Sequence, residues 1–252
     1  MPIRVLHVID HLGYGGAPMV VKNIAEGLDP GRVETFVCPL RANPRALPIK
    51  ANMIHLGYGK YNPLVIPAIA KLCRKHHIDI IHAHLSKAVI CSLIAGPWCG
   101  AKVVIHEHGP IFTPGTSWAL CHLLRLLGHR AAVAIANSQA TVTALHEKAG
   151  IALDRIRIID NFVDFARFDP ALYNRQQARE SLNLRPDDIA VGFVGRLDPA
   201  KGADILIEAA SLMKTDRSYR FVIVGEGRER ARLENMAVPL GLGERVIFAG
   251  LC

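Results

Sequence analysis

Gly195-Arg196-Leu197-Asp198-Pro199-Ala200-Lys201-Gly202 is the stretch that decides the fold predicted from this sequence. An apolar run, Ile189–Gly195, leads into it, and a helical pattern, Lys201–Met213, follows it. A polar, glycine-bounded loop between a buried strand and a helix is typical of a parallel α/β sheet. Such sheets bind their ligands outside the carboxyl ends of the strands. The loop therefore predicts both a fold and the place of a site.

The two cations of this loop suggest an anionic ligand. Arg196 offers a planar fork for phosphate oxygens and Lys201 a compact charge. Beside a helix N-terminus, they have the chemistry that a diphosphate leaving group requires as its charge develops. The alternative is a surface loop in which Asp198 forms an ion pair with Lys201.

The same strand–helix alternation runs through most of the 252 residues. We predict strands at Ile3–Ile9, Val33–Cys38, Ile78–Ala83, Lys102–His106, Ala131–Asn137, Ile156–Ile159, Ile189–Gly195, Arg220–Val224 and Arg245–Ala249. We predict helices at Ala17–Leu28, Pro63–His77, Lys87–Cys99, Ser117–Arg130, Ser138–Ala149, Lys201–Met213 and Arg228–Leu240. The strands are apolar on both faces, which favours parallel sheets covered by helices on both sides.

The predicted fold class is α/β, with two Rossmann-like, doubly wound parallel-sheet lobes, the second incomplete. We assign residues 1–160 to a first domain and residues 161–188, which are rich in turn-forming residues, to a linker. Residues 189–252 form part of a second domain with fewer strands than such a lobe normally has.

Composition and charge limit the function classes. Half of the residues are apolar, no apolar run reaches the roughly 18 residues that span a bilayer, and no signal peptide is recognisable, so we expect a cytoplasmic protein. Residues 1–160 hold 17 Lys and Arg against 9 Asp and Glu, whereas residues 161–252 hold 13 of each. A basic first domain suggests phosphate groups or an acidic membrane, with peripheral binding to the inner membrane face, although a solvated surface explains the charge equally well. We expect no nucleic-acid partner.

No two of the 6 cysteines form a C-x-x-C pair, so we expect buried, reduced thiols.

A second glycine-rich turn, Gly13-Tyr14-Gly15-Gly16-Ala17-Pro18, follows the first strand. Gly15 and Gly16 would let a phosphate approach the backbone at a helix N-terminus. Pro18 occupies the position of the third glycine of a dinucleotide-binding fingerprint, which argues against an NAD enzyme. A tight turn without a ligand remains the alternative.

Histidines end two neighbouring strands, as His82-Ala83-His84 and His106-Glu107-His108. Two such pairs could hold Zn²⁺, but no further cysteine or carboxylate ligand accompanies them, and we expect no metal. Neutral histidines that bind substrate hydroxyls are favoured instead, with His82 taken as a core residue.

The predicted helix Ser117–Arg130 combines apolar residues with Arg125, His129 and Arg130. It could lie in a membrane interface, but its apolar residues almost encircle it, so packing against the core is favoured.

In this order, these segments resemble glycosyltransferase family 4, whose architecture is the two-lobed GT-B fold. The matching segments are Gly15-Gly16-Ala17, Asp79-Ile80-Ile81-His82-Ala83-His84, Glu107-His108-Gly109, Ala136-Asn137-Ser138, Asn161-Phe162-Val163-Asp164, Gly195–Gly202 and Val224-Gly225-Glu226-Gly227.

The resemblance implies retaining, metal-independent transfer from a nucleoside-diphosphate sugar to a polysaccharide, lipopolysaccharide or glycolipid acceptor. It implies that Arg196 and Lys201 bind the donor diphosphate, with Gly15 and Gly16 close to the same phosphates. It also implies catalytic positions for the pair His108 and Glu107. In the family the leaving phosphate is often proposed to receive the acceptor proton, which implies that His108 positions and polarises the sugar or acceptor hydroxyl more than it acts as a base.

His84 and Glu226 are implied to lie near the substrate. Pro18 stands where the family frequently has an acidic residue. No segment here resembles the family's E-x₇-E motif, which would contact sugar and ribose, so we expect residues 1–252 alone to be inactive. The alternatives are a non-catalytic nucleotide- or membrane-binding partner and a nucleotide-sugar epimerase.

Overall fold

The computed structural model describes residues 1–58, 62–109, 118–213 and 218–251. It divides the chain into two units, Met1–Asp164 and Phe165–Cys252, each with its own parallel sheet.

The first unit is built on a sheet of seven strands in the order β3-β2-β1-β4-β5-β6-β7. These strands are β1 (Ile3–Ile9), β2 (Val33–Pro39), β3 (Asn52–Met53), β4 (Ile80–His84), β5 (Lys102–Glu107), β6 (Val133–Ala136) and β7 (Ile156–Ile158). All neighbouring pairs are parallel, so their carboxyl ends share one edge. The six strands predicted here are confirmed, and β3 is an additional edge strand.

Helices connect these strands and cover the sheet. They are α1 (Gly16–Gly27), α2 (Val65–Lys75), α3 (Ser86–Cys99), α4 (Trp118–Leu127) and α5 (Gln139–Thr143), which continues as a π-helical turn, Ala144–Lys148. Local chemistry sets several of their ends. Pro18 lies in the first turn of α1, where backbone N–H groups have no partner inside the helix. Ser138 caps α5 by accepting a hydrogen bond from the Thr141 N–H, 3.3 Å away. Ser117, the predicted start of α4, lies outside the described residues.

The core of the first unit lies between the sheet and its helices. Its largest fully buried side chains include Leu6, Ile69, Ile81, Leu93 and Ile105. They come from strands and helices alike, as expected for a sheet covered on both faces. A second cluster, which contains Ile9 and Val21, packs α1 against the sheet.

The second unit has a parallel sheet of three strands in the order β10-β9-β8. Its elements are α6 (Arg175–Ser181), β8 (Ile189–Val194), α7 (Ala203–Leu212), β9 (Tyr219–Val224), α8 (Arg230–Ala237) and β10 (Val246–Gly250). Short 3₁₀ turns at Phe165–Phe168 and Pro170–Leu172 precede α6. The segment predicted as a linker, residues 161–188, thus contains these turns and α6.

None of the described helices is both long and apolar enough to cross a membrane. Cys38, Cys73 and Cys91 are buried free thiols, and Cys99 and Cys121 are partly exposed free thiols. Cys252 lies outside the described residues.

Candidate functional site

Three central strands of the first unit bring most of the predicted residues to one edge of the sheet. β1 lies between β2 and β4, and β4 pairs with β5. The glycine turn follows β1, His84 ends β4, and Glu107 ends β5 with His108 next to it. The carboxyl edge of a parallel sheet is the usual ligand-binding side, so the local fold favours a site here.

The glycine turn leaves an open helix N-terminus. Gly15 caps α1 in an extended conformation, and both Gly15 and Gly16 are exposed. A Cβ atom at Gly16 would meet nothing within 4 Å, and one at Gly15 would meet only Pro18 Cδ, at 3.7 Å. Packing therefore does not require glycine at either position. The first N–H groups of α1 have no side-chain cap and lie at an exposed helix start, where an anion can bind.

The histidines form a hydrogen-bonded row. His84 Nε2 lies 3.2 Å from His7 Nδ1, and His84 Nδ1 lies 3.0 Å from His108 Nε2. His7 and His84 are fully buried, and His108 is partly exposed. A neutral imidazole has one N–H, so His84 donates to one neighbour and accepts from the other. The tautomer of His108 is thus coupled through His84 to that of His7.

Burial keeps these rings neutral. It lowers the pKa of His106 to about 4. Burial and repulsion from His106 lower the pKa of His7 to about 4 and that of His108 to about 3. The pKa values of His82 and His84 are also well below the usual histidine range, mainly because of burial. At neutral pH, His108 can donate or accept a hydrogen bond but carries no charge.

Glu107 is a buried carboxyl group on the opposite face of β5 from its histidine neighbours, because successive strand residues alternate. It is 3% exposed, and its Oε1 has no hydrogen-bond partner among the described residues. Burial raises the pKa of Glu107 to about 8. At neutral pH it is therefore mostly protonated, and it can donate a hydrogen bond but is a poor base.

Two further residues at this edge did not emerge from the sequence. In the sequence, His7 is only a polar residue that interrupts the apolar strand β1. Its position beside His82 follows from the register of β1 against β4, which the sequence alone does not give. Asp10 follows β1 directly and accepts hydrogen bonds from Arg41 Nη2 at 2.8 Å and Arg41 Nε at 3.1 Å. A carboxylate directly after a buried strand could have identified it.

The predicted cationic loop of the second unit follows β8. Arg196 Nε forms an ion pair with Asp198, and the second Asp198 oxygen lies 3.5 Å from Arg228 Nε. Asp198 thus pairs with two arginines, whereas Lys201 is exposed and has no carboxylate partner within the described part of the chain. The alternative in which Asp198 pairs with Lys201 is wrong.

Lys201 lies just before a helix N-terminus, as predicted. It ends a 3₁₀ turn, Pro199–Lys201, and is followed by Gly202, the residue before α7. Gly202 has a φ of 72°, in the left-handed region that favours glycine. This turn holds Lys201 close to the positive end of α7, where an anion is stabilised.

The loop after β9 supports the cationic loop through backbone contacts. Leu197 N–H donates to Glu226 O at 3.0 Å, and Glu229 N–H donates to Leu197 O at 3.1 Å. A Cβ at Gly227 would lie 2.2 Å from Leu197 O, so the approach requires glycine. The Glu226 carboxylate forms an ion pair with Arg230 and is partly exposed. Glu226 therefore lies next to the cationic loop, within the same unit.

Comparison with known families gives two adjoining matches. Residues 14–167 match the family model described as Glycosyltransferase Family 4. Residues 174–252 match the model described as Glycosyl transferases group 1.

Two relatives match almost the whole chain. EpsF of Bacillus subtilis, which is named as a glycosyltransferase, is 26% identical over 266 residues, covering 98% of this chain and 68% of EpsF. A D-inositol 3-phosphate glycosyltransferase of Nocardia farcinica is 29% identical over 254 residues, covering 91% of this chain and 50% of that protein. The chain thus spans between half and about two thirds of the length of these relatives.

Solved structures support the fold. HepE of Anabaena, in a crystal structure with UDP and glucose, is similar with a TM-score of 0.81 at 24% identity. The superposition covers 99% of this chain and 70% of HepE. The fold class is therefore confirmed as α/β with parallel sheets of the GT-B type.

Proposed function

Because this chain belongs to glycosyltransferase family 4, we propose that it is part of an enzyme that transfers a sugar from a nucleoside-diphosphate sugar to a glycan or glycolipid acceptor. The observation that carries the proposal is the loop of Arg196 and Lys201 before α7, in a unit that matches a second glycosyl transferase model. Family membership favours sugar transfer over both the epimerase and the non-catalytic partner considered from the sequence.

The donor diphosphate binds through charge and geometry. Arg196 is about two thirds exposed, so its guanidinium can exchange Asp198 for a phosphate oxygen at little desolvation cost. Lys201 adds a positive charge next to the N-terminus of α7. As the bond between the sugar and the diphosphate breaks, negative charge develops on the leaving phosphate, and these groups stabilise it. In the first unit, the open N–H groups at Gly15 and Gly16 suit the same class of anion.

We further propose that the transfer retains the anomeric configuration. The bond from the anomeric carbon to the diphosphate oxygen breaks, a bond to the acceptor oxygen forms on the same face, and the acceptor proton passes to the leaving phosphate. His108, neutral and oriented by His84, positions a sugar or acceptor hydroxyl. Glu107, protonated at neutral pH, contributes a hydrogen-bond donor and no base. No metal ion takes part in the transfer that we propose.

Nucleotide binding tests this function directly. We expect UDP, GDP or ADP to raise the melting temperature of the chain in a thermal-shift assay, and the corresponding nucleoside monophosphate to raise it less. The difference arises because the cationic loop acts on the diphosphate. If none of the three diphosphates changes the melting temperature or binds in calorimetry, the proposal is wrong.

An acidic membrane is the partner that we propose for α4. Leu124 and Leu127 of this helix are buried, which confirms that one face packs on the core. Its other face exposes Trp118, Leu123 and Leu126, by 73%, 42% and 67% respectively. Exposed apolar side chains beside basic residues are typical of a helix that lies in a membrane interface. The positive charge of this part of the chain favours anionic lipids.

Vesicle binding tests whether the exposed face of α4 binds an acidic membrane or only contacts solvent. We expect co-sedimentation with phosphatidylcholine vesicles that contain phosphatidylglycerol, and loss of binding in a Trp118→Ser/Leu126→Ser variant. Trp98→Ser is the matched control, since Trp98 is 55% exposed on α3. Equal loss in both variants, or equal binding to vesicles without phosphatidylglycerol, would contradict the proposal.

A further inference from the structure

Five histidines from three adjacent strands converge in the first unit. By register, His7 of β1 lies opposite His82 of β4, and His84 lies opposite His106 of β5. His108 follows β5 on the same face as His106, because side chains two residues apart share a face. Ring contacts connect the whole group, with centroid separations between 4.2 and 5.4 Å.

Three of these rings form a group with the geometry of metal ligands. His84, His106 and His108 each offer one ring nitrogen, and these nitrogens lie within 4.8 Å of one another. Tetrahedral zinc has Zn–N distances of about 2.0–2.1 Å, so its ligand nitrogens lie about 3.3 Å apart. The nitrogens of His84 and His108 are already 3.0 Å apart. Rotation of the rings would bring the three nitrogens to this spacing.

The ring nitrogens of this group are also short of partners. Among the described residues, neither Nδ1 nor Nε2 of His106 has a hydrogen-bond partner, nor does Nδ1 of His108. A buried polar atom without a partner costs about 1–3 kcal/mol, and coordination through one nitrogen of His106 removes that cost for that atom. A neutral imidazole keeps one ring nitrogen without a proton, which metal binding requires.

We propose that His84, His106 and His108 form a binding site for a zinc ion, with the fourth coordination position open. Three imidazoles and one open position are a common zinc ligand set, and imidazole also suits copper and nickel. The sequence argued against a metal because it supplied no fourth protein ligand, but an open site needs only three.

A second group, His7, His82 and His84, satisfies the same distance criterion but is the weaker candidate. His7 is fully buried and His82 is 9% exposed, whereas His108 is partly exposed at the carboxyl edge of the sheet. The group that contains His108, the outer group, thus has a ring nearer to solvent than the inner group of His7, His82 and His84. The proposed site does not depend on sugar transfer, although zinc there would occupy the ring that the proposed function assigns to a hydroxyl.

Metal titration tests the site. The chain is purified without a histidine tag, stripped with a chelator, and titrated with Zn²⁺ in a calorimeter and with Co²⁺ in a visible spectrometer. We expect one ion of each per chain and the absorption bands of tetrahedral Co²⁺. We expect His106→Ala and His108→Ala each to weaken binding by about tenfold or more, since each removes one ligand of three.

Two controls locate the ion. A His82→Phe variant keeps a ring in the inner group and is expected to bind Zn²⁺ within about threefold of the wild type, as it leaves all three ligands in place. A His76→Ala/His77→Ala variant removes the adjacent histidines that end the second predicted helix and is also expected to bind normally. Circular dichroism establishes that each variant is folded.

Several outcomes would overturn the site. These are no saturable binding, loss of the ion in the His76→Ala/His77→Ala variant, or loss in His82→Phe with retention in His108→Ala. If His106→Ala or His108→Ala fails to fold, X-ray absorption of the zinc-loaded wild type decides. Three imidazole nitrogens at about 2.0 Å in both the wild type and His82→Phe, which lacks one ring of the other group, support the site, and fewer than three overturn it.

Discussion

Gly225 and Gly195 approach each other so closely that a Cβ atom at Gly225 would lie 1.9 Å from the Gly195 carbonyl oxygen. Gly225 also has a φ of 141°, which side chains rarely adopt. No rotamer change relieves a clash with backbone. We therefore expect Gly225→Ala to destabilise the second unit by about 3 kcal/mol or more. Urea denaturation followed by circular dichroism measures the loss.

Gly192→Ala is the matched control for this clash. Gly192 lies in β8, and a Cβ atom there would meet nothing within 4 Å. The substitution should be neutral or slightly stabilising, because alanine restricts the unfolded chain. The 2 tryptophans, Trp98 and Trp118, both lie in the first unit, so their fluorescence should report the same first-unit transition in both variants. Similar stability losses for the two glycines would contradict the close approach.

Removal of either loop cation should weaken nucleoside-diphosphate binding. A hydrogen bond to a charged group contributes about 1.5–3 kcal/mol, so Arg196→Ala and Lys201→Ala should each weaken binding by roughly tenfold to a hundredfold. Arg232→Ala removes the same charge from an arginine of α8 that is paired with Glu229 and Asp204. Calorimetry should show nearly unchanged affinity for that control. If both loop variants weaken diphosphate binding less than twofold, Arg196 and Lys201 are not the residues that bind the diphosphate.

Asp198 competes with phosphate for the arginine of the same loop. It pairs with Arg196 and Arg228, whose side chains are 64% and 75% exposed. We expect Asp198→Asn to tighten diphosphate binding about threefold at low ionic strength, because both guanidinium groups lose a competing anion. The gain should disappear at high salt, where exposed charges are screened. Weaker binding at low salt would show that Asp198 orients Arg196 rather than competing for it.

The strands were the most predictable part of the fold. The run Ile3–Ile9 is apolar and β-branched at most positions, and β1 has the predicted limits. β3, Asn52–Met53, was missed because two residues at a sheet edge carry no periodic signal. α5 was predicted as one helix, Ser138–Ala149, but continues as a π-helical turn from Ala144, a change in backbone hydrogen bonding that side-chain periodicity does not report.

The site was less predictable than the fold, because its contacts depend on register and on loop conformation. The two H-x-H segments were visible, but the position of His7 beside them follows only from the pairing of β1 with β4. The cations of the second unit were visible as well. The ion pair between Arg228 and Asp198 was not predictable. Arg228 follows β9 and reaches Asp198 only because the loops after β8 and β9 lie side by side.

The buried histidines should make the first unit sensitive to acid. Burial lowers the pKa values of His7 and His106 to about 4, against about 6.5 in the unfolded chain. Between these values the unfolded state binds more protons, so their contribution is complete above about pH 6.5 and decreases as the pH falls. For each of these histidines, the free energy of unfolding falls by about 1.4 kcal/mol per pH unit in this range. Tryptophan fluorescence in urea, with chelator present, should give a steep loss of stability from pH 6.5 to 5, and a flat profile would contradict the neutral cluster.

On the alkaline side, Glu107 should make the free energy of unfolding fall as the pH rises. Burial raises its pKa to about 8, against about 4.5 when unfolded, so the folded state holds the extra proton. Its contribution is complete below about pH 4.5 and decreases as the pH rises to about 8. At pH 6.5 about half of each histidine is still protonated in the unfolded chain, so the Glu107 loss is read as the difference between the wild-type and Glu107→Gln profiles, about 2 kcal/mol from pH 6.5 to 8. Glu107→Gln keeps the shape without the proton and should abolish this loss while retaining the acid-side loss. An unchanged alkaline slope in that variant would show that another group causes it.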